Sequence, residues 1–132
     1  MKILVVSHNV FSRTSNMGKT LGSYFKNTER EDIAQFYIHS EVPTWDICEN
    51  YYRITDKEAI KSIFTRRSGK IFGAADIETD RIDSRTDSGH TAKLYQKARS
   101  RSPLVYFVRN LWWSLGRWKT RKLLEWVDNF DP

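Results

Sequence analysis

The stretch from Met1 to Leu21, MKILVVSHNVFSRTSNMGKTL, constrains the fold more than any other part of the chain. Lys2-Ile3-Leu4-Val5-Val6-Ser7 is short, continuous and rich in β-branched residues, which suits a strand covered on both faces in a parallel sheet. A polar loop follows, with His8, Asn9, Ser12, Thr14, Ser15 and Asn16, then Gly18-Lys19-Thr20. Beyond it Leu21, Tyr24 and Phe25 have the spacing of a helical face. Strand, turn and helix in that order open an α/β unit. In such a unit the helix N-terminus, with its free N–H groups and positive dipole end, faces the carboxyl edge of the sheet, where phosphate-bearing ligands sit. Gly18 would let a phosphate approach the backbone, and Lys19 beside it is a phosphate neighbour on charge grounds. Arg13 and Asn16 are candidate contacts to an anion or an acceptor.

Gly18-Lys19-Thr20 also ends a phosphate-gripping loop of the form G-x-x-x-x-G-K-[ST], but the position of its first glycine is Arg13, so half the signature is missing. The plainer alternative is a glycine that permits a tight turn, with Thr20 or Asn16 capping the helix.

At 132 residues the chain has room for one domain with a modest core. An aromatic fraction of 14% with five Trp means that many large rings must be buried or meet a partner. The formal charge of +6 favours an anionic partner without choosing among phosphorylated ligand, lipid surface and nucleic acid. Cys48 is the single cysteine, which excludes an internal disulfide and a Cys-rich zinc site and suits a reducing compartment. No charged leader with an apolar core precedes the first strand, and no run of ~18 apolar residues exists, so the expectation is a cytoplasmic protein.

Further along, Ile33 to His39 reads as a second strand, and Ser40 to Thr44 as a turn. Trp45 to Thr55 reads as an extended segment, and Asp56 as the N-cap of a helix with Ala59, Ile60, Ile63 and Phe64 on one face. Residues 65–102 hold nine Lys or Arg and five Asp or Glu with few large apolar residues, so a long basic excursion is expected, with a short helix at Thr91 to Ala98. Asp76, Asp80, Asp83, Asp87 and His90 lie within it, but their spacing is not a ligand signature, and no metal site is assigned. From Pro103 onward, Leu104, Val105, Val108, Leu111, Trp112, Leu115 and Trp118 share a broad helical face, with a bend expected near Gly116. Such a face packs on a sheet. Trp113, Arg117, Trp118 and Arg121 are candidates for contact with an anionic membrane surface. A strand would be the next element of an α/β sheet after LLEWVDNFDP, so the chain is expected to be cut short at its C-terminus.

KILVVSHNVFSRTSNMGKTL, NYYRITD and LLEWVDNFDP together resemble the N-terminal half of GT-B-fold glycosyltransferases of the family-four type. The resemblance implies an α/β fold: a Rossmann-like parallel sheet with flanking helices, incomplete at its C-terminus, over residues 1–132. It implies the acceptor-side domain of an enzyme that transfers sugar from a nucleotide-sugar donor to an acceptor hydroxyl, in polysaccharide or glycoconjugate synthesis, with the donor-binding domain lying beyond. The implied partners are a nucleotide-sugar donor and a sugar or lipid-linked acceptor, with no cofactor and no nucleic acid. Gly18 is the position it carries to the donor phosphates; His8, His39 and His90 do not match the context of the family's histidine. The fragment alone is expected to be inactive. The alternative is a stand-alone basic α/β module that docks on anionic membrane or nucleic acid. A phosphorylated receiver domain is disfavoured, because Ser7-His8-Asn9 stands where its acidic pair would be.

Overall fold

The computed structural model describes residues 1–65, 69–72 and 103–132. Its centre is a four-stranded sheet in the order β1 (Ile3–Ser7), β2 (Ile33–Tyr37), β3 (Asn50–Arg53) and β4 (Lys70–Phe72). β1, β2 and β3 run parallel, with Ile3 opposite Ile33 and Ala34 opposite Asn50. β4 runs antiparallel to β3, with Tyr52 opposite Ile71. The sheet is therefore mixed, a correction to the all-parallel expectation.

β2 explains why this sheet has two cores. All five of its residues are buried, and successive side chains of a strand point to opposite faces. Ala34 and Phe36 join one cluster with Tyr52, Ile54, Ala59, Leu123, Trp126 and Phe130. Ile33 and Tyr37 join the other with Val10, Phe11, Cys48, Tyr51 and Phe72. Helices flank both faces. α1 (Asn16–Ser23) sits on the second, where Leu21 and Phe25 pack. α2 (Asp56–Thr65), α3 (Pro103–Leu115) and α4 (Arg121–Phe130) sit on the first.

α4 is the regular member of this set. Leu123, Trp126 and Phe130 are buried at i, i+3 and i+7, and burying each such side chain contributes about 1.5–3 kcal/mol. Thr120 caps its start by accepting from the Leu123 N–H, and Asp131 ends it in the left-handed conformation at φ 54°. The bend expected near Gly116 is a full break: residues 116–120 separate α3 from α4.

The cap of α2 corrects the sequence reading. Thr55, not Asp56, is the capping residue: its hydroxyl accepts from the Glu58 N–H at 3.3 Å, and the Glu58 carboxylate accepts from the Thr55 N–H at 2.8 Å. This is the reciprocal T-x-x-E box. It leaves the Asp56 carboxylate free for another partner. The inward face is also different: Ala59 and Ser62 are buried, whereas Phe64 is 84% exposed. α1 likewise has Ser15 at its N-cap position, with no side-chain cap bond, and the Thr20 hydroxyl donates to the Asn16 carbonyl within the helix.

β4 lies inside the stretch expected to be a long excursion. Phe72 holds it there: the ring is buried beside Tyr37 at 6.4 Å, with the guanidinium of Arg53 at 4.7 Å and the ammonium of Lys70 at 5.0 Å from its centroid. Gly69 enters β4 at φ +86°, and the Tyr52 ring occupies the space a Cβ would need. The short helix expected at Thr91 to Ala98, and Asp76, Asp80, Asp83, Asp87 and His90, lie outside the described residues.

Cys48 is fully buried, and its thiol donates toward the Ile33 carbonyl at 3.1 Å and the Asn50 carbonyl at 3.2 Å. Burial pushes the thiol up to about 12, so thiolate is scarce at neutral pH. Cys48 is therefore expected to react with a colorimetric disulfide reagent only at the rate of unfolding. Rapid labelling of native protein would contradict the packing described here.

Candidate functional site

The parallel strands end at Ser7, Tyr37 and Arg53; the loops after the first two carry His8 and His39, and the first residue of α2 carries Asp56, to one edge of the sheet. Gln35 builds this edge from within. It is fully buried on β2; its Oε1 accepts from the Phe11 N–H at 3.0 Å, and its Nε2 donates to Ser7 Oγ at 2.8 Å and to the Asn9 carbonyl at 3.0 Å. One amide side chain thus fixes three points of the loop between β1 and α1. The His8 carbonyl then accepts from the His39 N–H at 2.9 Å, joining that loop to the one after β2. The two imidazoles meet edge to face with centroids 5.8 Å apart.

Each ring has its own partner. Arg109 of α3 brings Nη2 to 3.4 Å from His8 Nδ1. A guanidinium only donates, so Nδ1 is the acceptor and the neutral ring of His8 carries its proton on Nε2. His39 has Nδ1 3.8 Å from Glu41 Oε2. At that distance the carboxylate is a charge neighbour on the Nδ1 side of the ring, and the Nε2 side is turned away from it. Glu41 is held in turn by the Ser12 hydroxyl, which donates to Oε1 at 2.9 Å. Arg109 is positioned by Asp56, whose Oδ1 lies 3.4 Å from its Nε and accepts from Trp113 Nε1 at 2.8 Å. The carboxylate that the capping box left free is what secures α3 to the site.

Burial first, then the positive charges of Arg109 and of the neighbouring His39, lowers the pKa of His8 below 6.5, with Asp56 acting the other way. Above 6.5 the ring is neutral both folded and unfolded; as pH falls from 6.5 toward the lower folded value, the unfolded chain takes up the proton first and the fold loses stability. The urea midpoint is expected to fall between pH 7.5 and 5.5, and to fall less in His8→Gln. An equal fall in both proteins would remove His8 as a source of the acid sensitivity.

The residues singled out from the sequence are placed as follows. Gly18 is buried, and a Cβ there would stand 2.6 Å from the Val10 carbonyl oxygen and 2.8 Å from the Ser12 nitrogen. Its bare Cα is thus filled against by the chain's own loop. Lys19 and Asn16 are exposed on α1, and Arg13 pairs with Asp46. Trp113 and Trp118 are half-buried and turned inward: Trp118 Nε1 donates to the Trp113 carbonyl at 2.8 Å, and its ring stacks on Phe36 at 6.2 Å. Arg117 and Arg121 are exposed, Arg121 beside Glu125. The structure brings none of these into the histidine cluster except Trp113, through Asp56.

His8, His39, Glu41, Asp56 and Arg109 were not singled out as a site. The usable signal was position, since His8 and His39 each stand just past a parallel strand, where ligands of open α/β sheets bind. Among the described residues no group of three or more His, Cys, Asp or Glu is arranged to hold a metal ion, and no helix is long and apolar enough to cross a membrane. A shallow concavity of about 280 Å³ beside Lys2, Asn50 and Phe130 lies at the other end of the strands. Compared with known protein families, curated proteins and solved structures, the chain shows no significant match to any of them.

Proposed function

We propose that this chain is the acceptor-side, Rossmann-like part of a nucleotide-sugar-dependent glycosyltransferase, and that the acceptor hydroxyl is bound between His8 and His39. The observation that carries the reading is the pair of imidazoles 5.8 Å apart at the carboxyl edge of the parallel strands, one beside a guanidinium and the other beside a carboxylate. A hydroxyl both donates and accepts. His8 Nε2–H offers it a donor, and neutral His39 Nε2 offers it an acceptor that can take the proton as the oxygen attacks the anomeric carbon. Glu41 then stabilises the imidazolium of His39 as a carboxylate does in other base–orienter pairs. The resemblance of the chain to family-four-type enzymes supplies the reaction class; three parallel strands with helices on both faces support the same fold.

In that reaction the protein positions two reactants and stabilises the leaving diphosphate, and holding the hydroxyl in line is the share assigned to this cluster. Arg109, fixed by Asp56, adds a permanent positive charge beside the hydroxyl. Calorimetric titration of the chain with a panel of mono- and disaccharides tests the reading. Saccharide binding that weakens in His39→Ala supports it; binding of oligonucleotide in place of any saccharide contradicts it and favours a nucleic-acid module.

A further inference from the structure

The apolar residues of α3 are not where its amphipathic pattern led us to expect them. Leu104 is 70% exposed, Phe107 68%, Leu111 43% and Leu115 60%. At 100° per residue these four fall on one stripe, and Arg109 and Trp113, which hold the site, fall on the opposite side of the helix. The helix is therefore fastened to the fold by a guanidinium and an indole that converge on Asp56, and its most apolar stripe is left open.

We propose that this stripe of α3 docks on an anionic lipid bilayer. Charge selects this occupant. Between Asp87 and Glu125 the sequence runs for 37 residues with nine Lys or Arg and no Asp or Glu, and α3 lies inside that run. Arg117 and Lys119, directly after the helix, are exposed. Apolar side chains enter the boundary between headgroups and acyl chains, while neighbouring cations meet phosphate headgroups at the surface. An acid-free flank on both sides of an open apolar stripe matches such a surface. The residues that do the docking are thus Leu104, Phe107, Leu111 and Leu115, in place of Trp113 and Trp118.

Docking in this way has a consequence for the site. Because Arg109 and Trp113 leave the opposite face of the same helix, the histidine pair stands about one helix diameter, ~10 Å, from the headgroups. An acceptor carried on a lipid head group would come within reach. The docking itself stands on α3 and its flanks and does not depend on the glycosyl-transfer reading.

Co-sedimentation of the whole chain with vesicles tests it. The protein is expected to pellet with vesicles of equal parts phosphatidylglycerol and phosphatidylcholine, and to stay in solution with phosphatidylcholine alone. About 1 M salt, which screens charges within ~3 Å, should release it. Phe107→Ser combined with Leu111→Ser should lower the partition constant roughly tenfold or more while leaving thermal unfolding unchanged. Arg117→Gln combined with Lys119→Gln should lower it without touching the stripe. No pelleting with phosphatidylglycerol, or equal pelleting of the Ser double variant, overturns the proposal. So does a dimer in sedimentation equilibrium that the Ser variant dissolves, since a second copy would then cover the stripe.

Discussion

Gln35→Leu is expected to cost about 3–5 kcal/mol of folding stability, because the replacement keeps the volume and removes the amide that organises the site loop. The buried Phe11 N–H is left without a partner, which costs ~1–3 kcal/mol, and the part-buried Asn9 carbonyl, which keeps the Ser7 hydroxyl as a donor, loses one bond of ~0.5–1.5 kcal/mol. The loss of the bond to Ser7 Oγ adds to this. Urea unfolding measures the total. A second readout separates loop order from global stability: the His8 and His39 ring resonances should shift in the folded variant, since their loops are joined through the His8 carbonyl. A variant within ~0.5 kcal/mol of wild type with unmoved histidine resonances would show that Gln35 does not hold the loop.

The second large effect falls on Gly18. Gly18→Ala places a methyl against the Val10 carbonyl oxygen and the Ser12 nitrogen. These are backbone atoms that cannot rotate aside, so the helix or the loop must move, at a cost of about 1–3 kcal/mol. Ser12 is also the hub of the loop: its hydroxyl accepts from the Thr14 and Ser15 N–H groups and reaches Glu41. The substitution should therefore lower the midpoint of thermal unfolding and disturb Glu41 and His39 together. If Gly18→Ala were as stable as wild type, the close packing of α1 on its loop would be wrong, and a glycine reserved for a phosphate would be the better account.

The elements most legible in the sequence were those whose pattern is sufficient by itself. β1 and β2 were legible as strands from their β-branched and aromatic residues, but the central position expected of β1 belongs to β2: β1 is the edge of the sheet, none of its residues is buried and Val6 is 68% exposed, whereas all of β2 is buried. β4 was not legible, because Lys70, Ile71 and Phe72 stand in a charged stretch and are held by contacts distant in sequence, the ring of Tyr37 and the guanidinium of Arg53. Periodicity placed Leu104, Leu111 and Leu115 on one stripe of α3 correctly, but it carries no information on which way a stripe turns. The direction was set by Asp56, which the Thr55–Glu58 box leaves free to bind Arg109 and Trp113. The box itself was readable as T-x-x-E; an aspartate at the next position drew the cap assignment away from it.

The candidate site shows the same division. Ser7-His8-Asn9 was visible as the end of a strand, and His39 as the end of the next. That the two rings meet, and that one has a guanidinium and the other a carboxylate beside it, depends on parallel pairing of β1 with β2 and on a helix a hundred residues further along. Gly18 and Lys19 drew attention through a partial phosphate-loop pattern. Gly18 is accounted for by close packing, and the proposed chemistry is placed instead at the histidine pair, which no motif marked.

The measurement that bears most directly on this account is a nuclear magnetic resonance titration of the chain with saccharides, observing the ring protons of His8 and His39. Both rings are expected to shift together, with one saturation curve, and the shifts should vanish in Arg109→Ala at saccharide concentrations that saturate the wild type. Saccharide-induced shifts elsewhere in the chain with both rings unmoved would contradict the placement of the acceptor site at the carboxyl ends of the parallel strands.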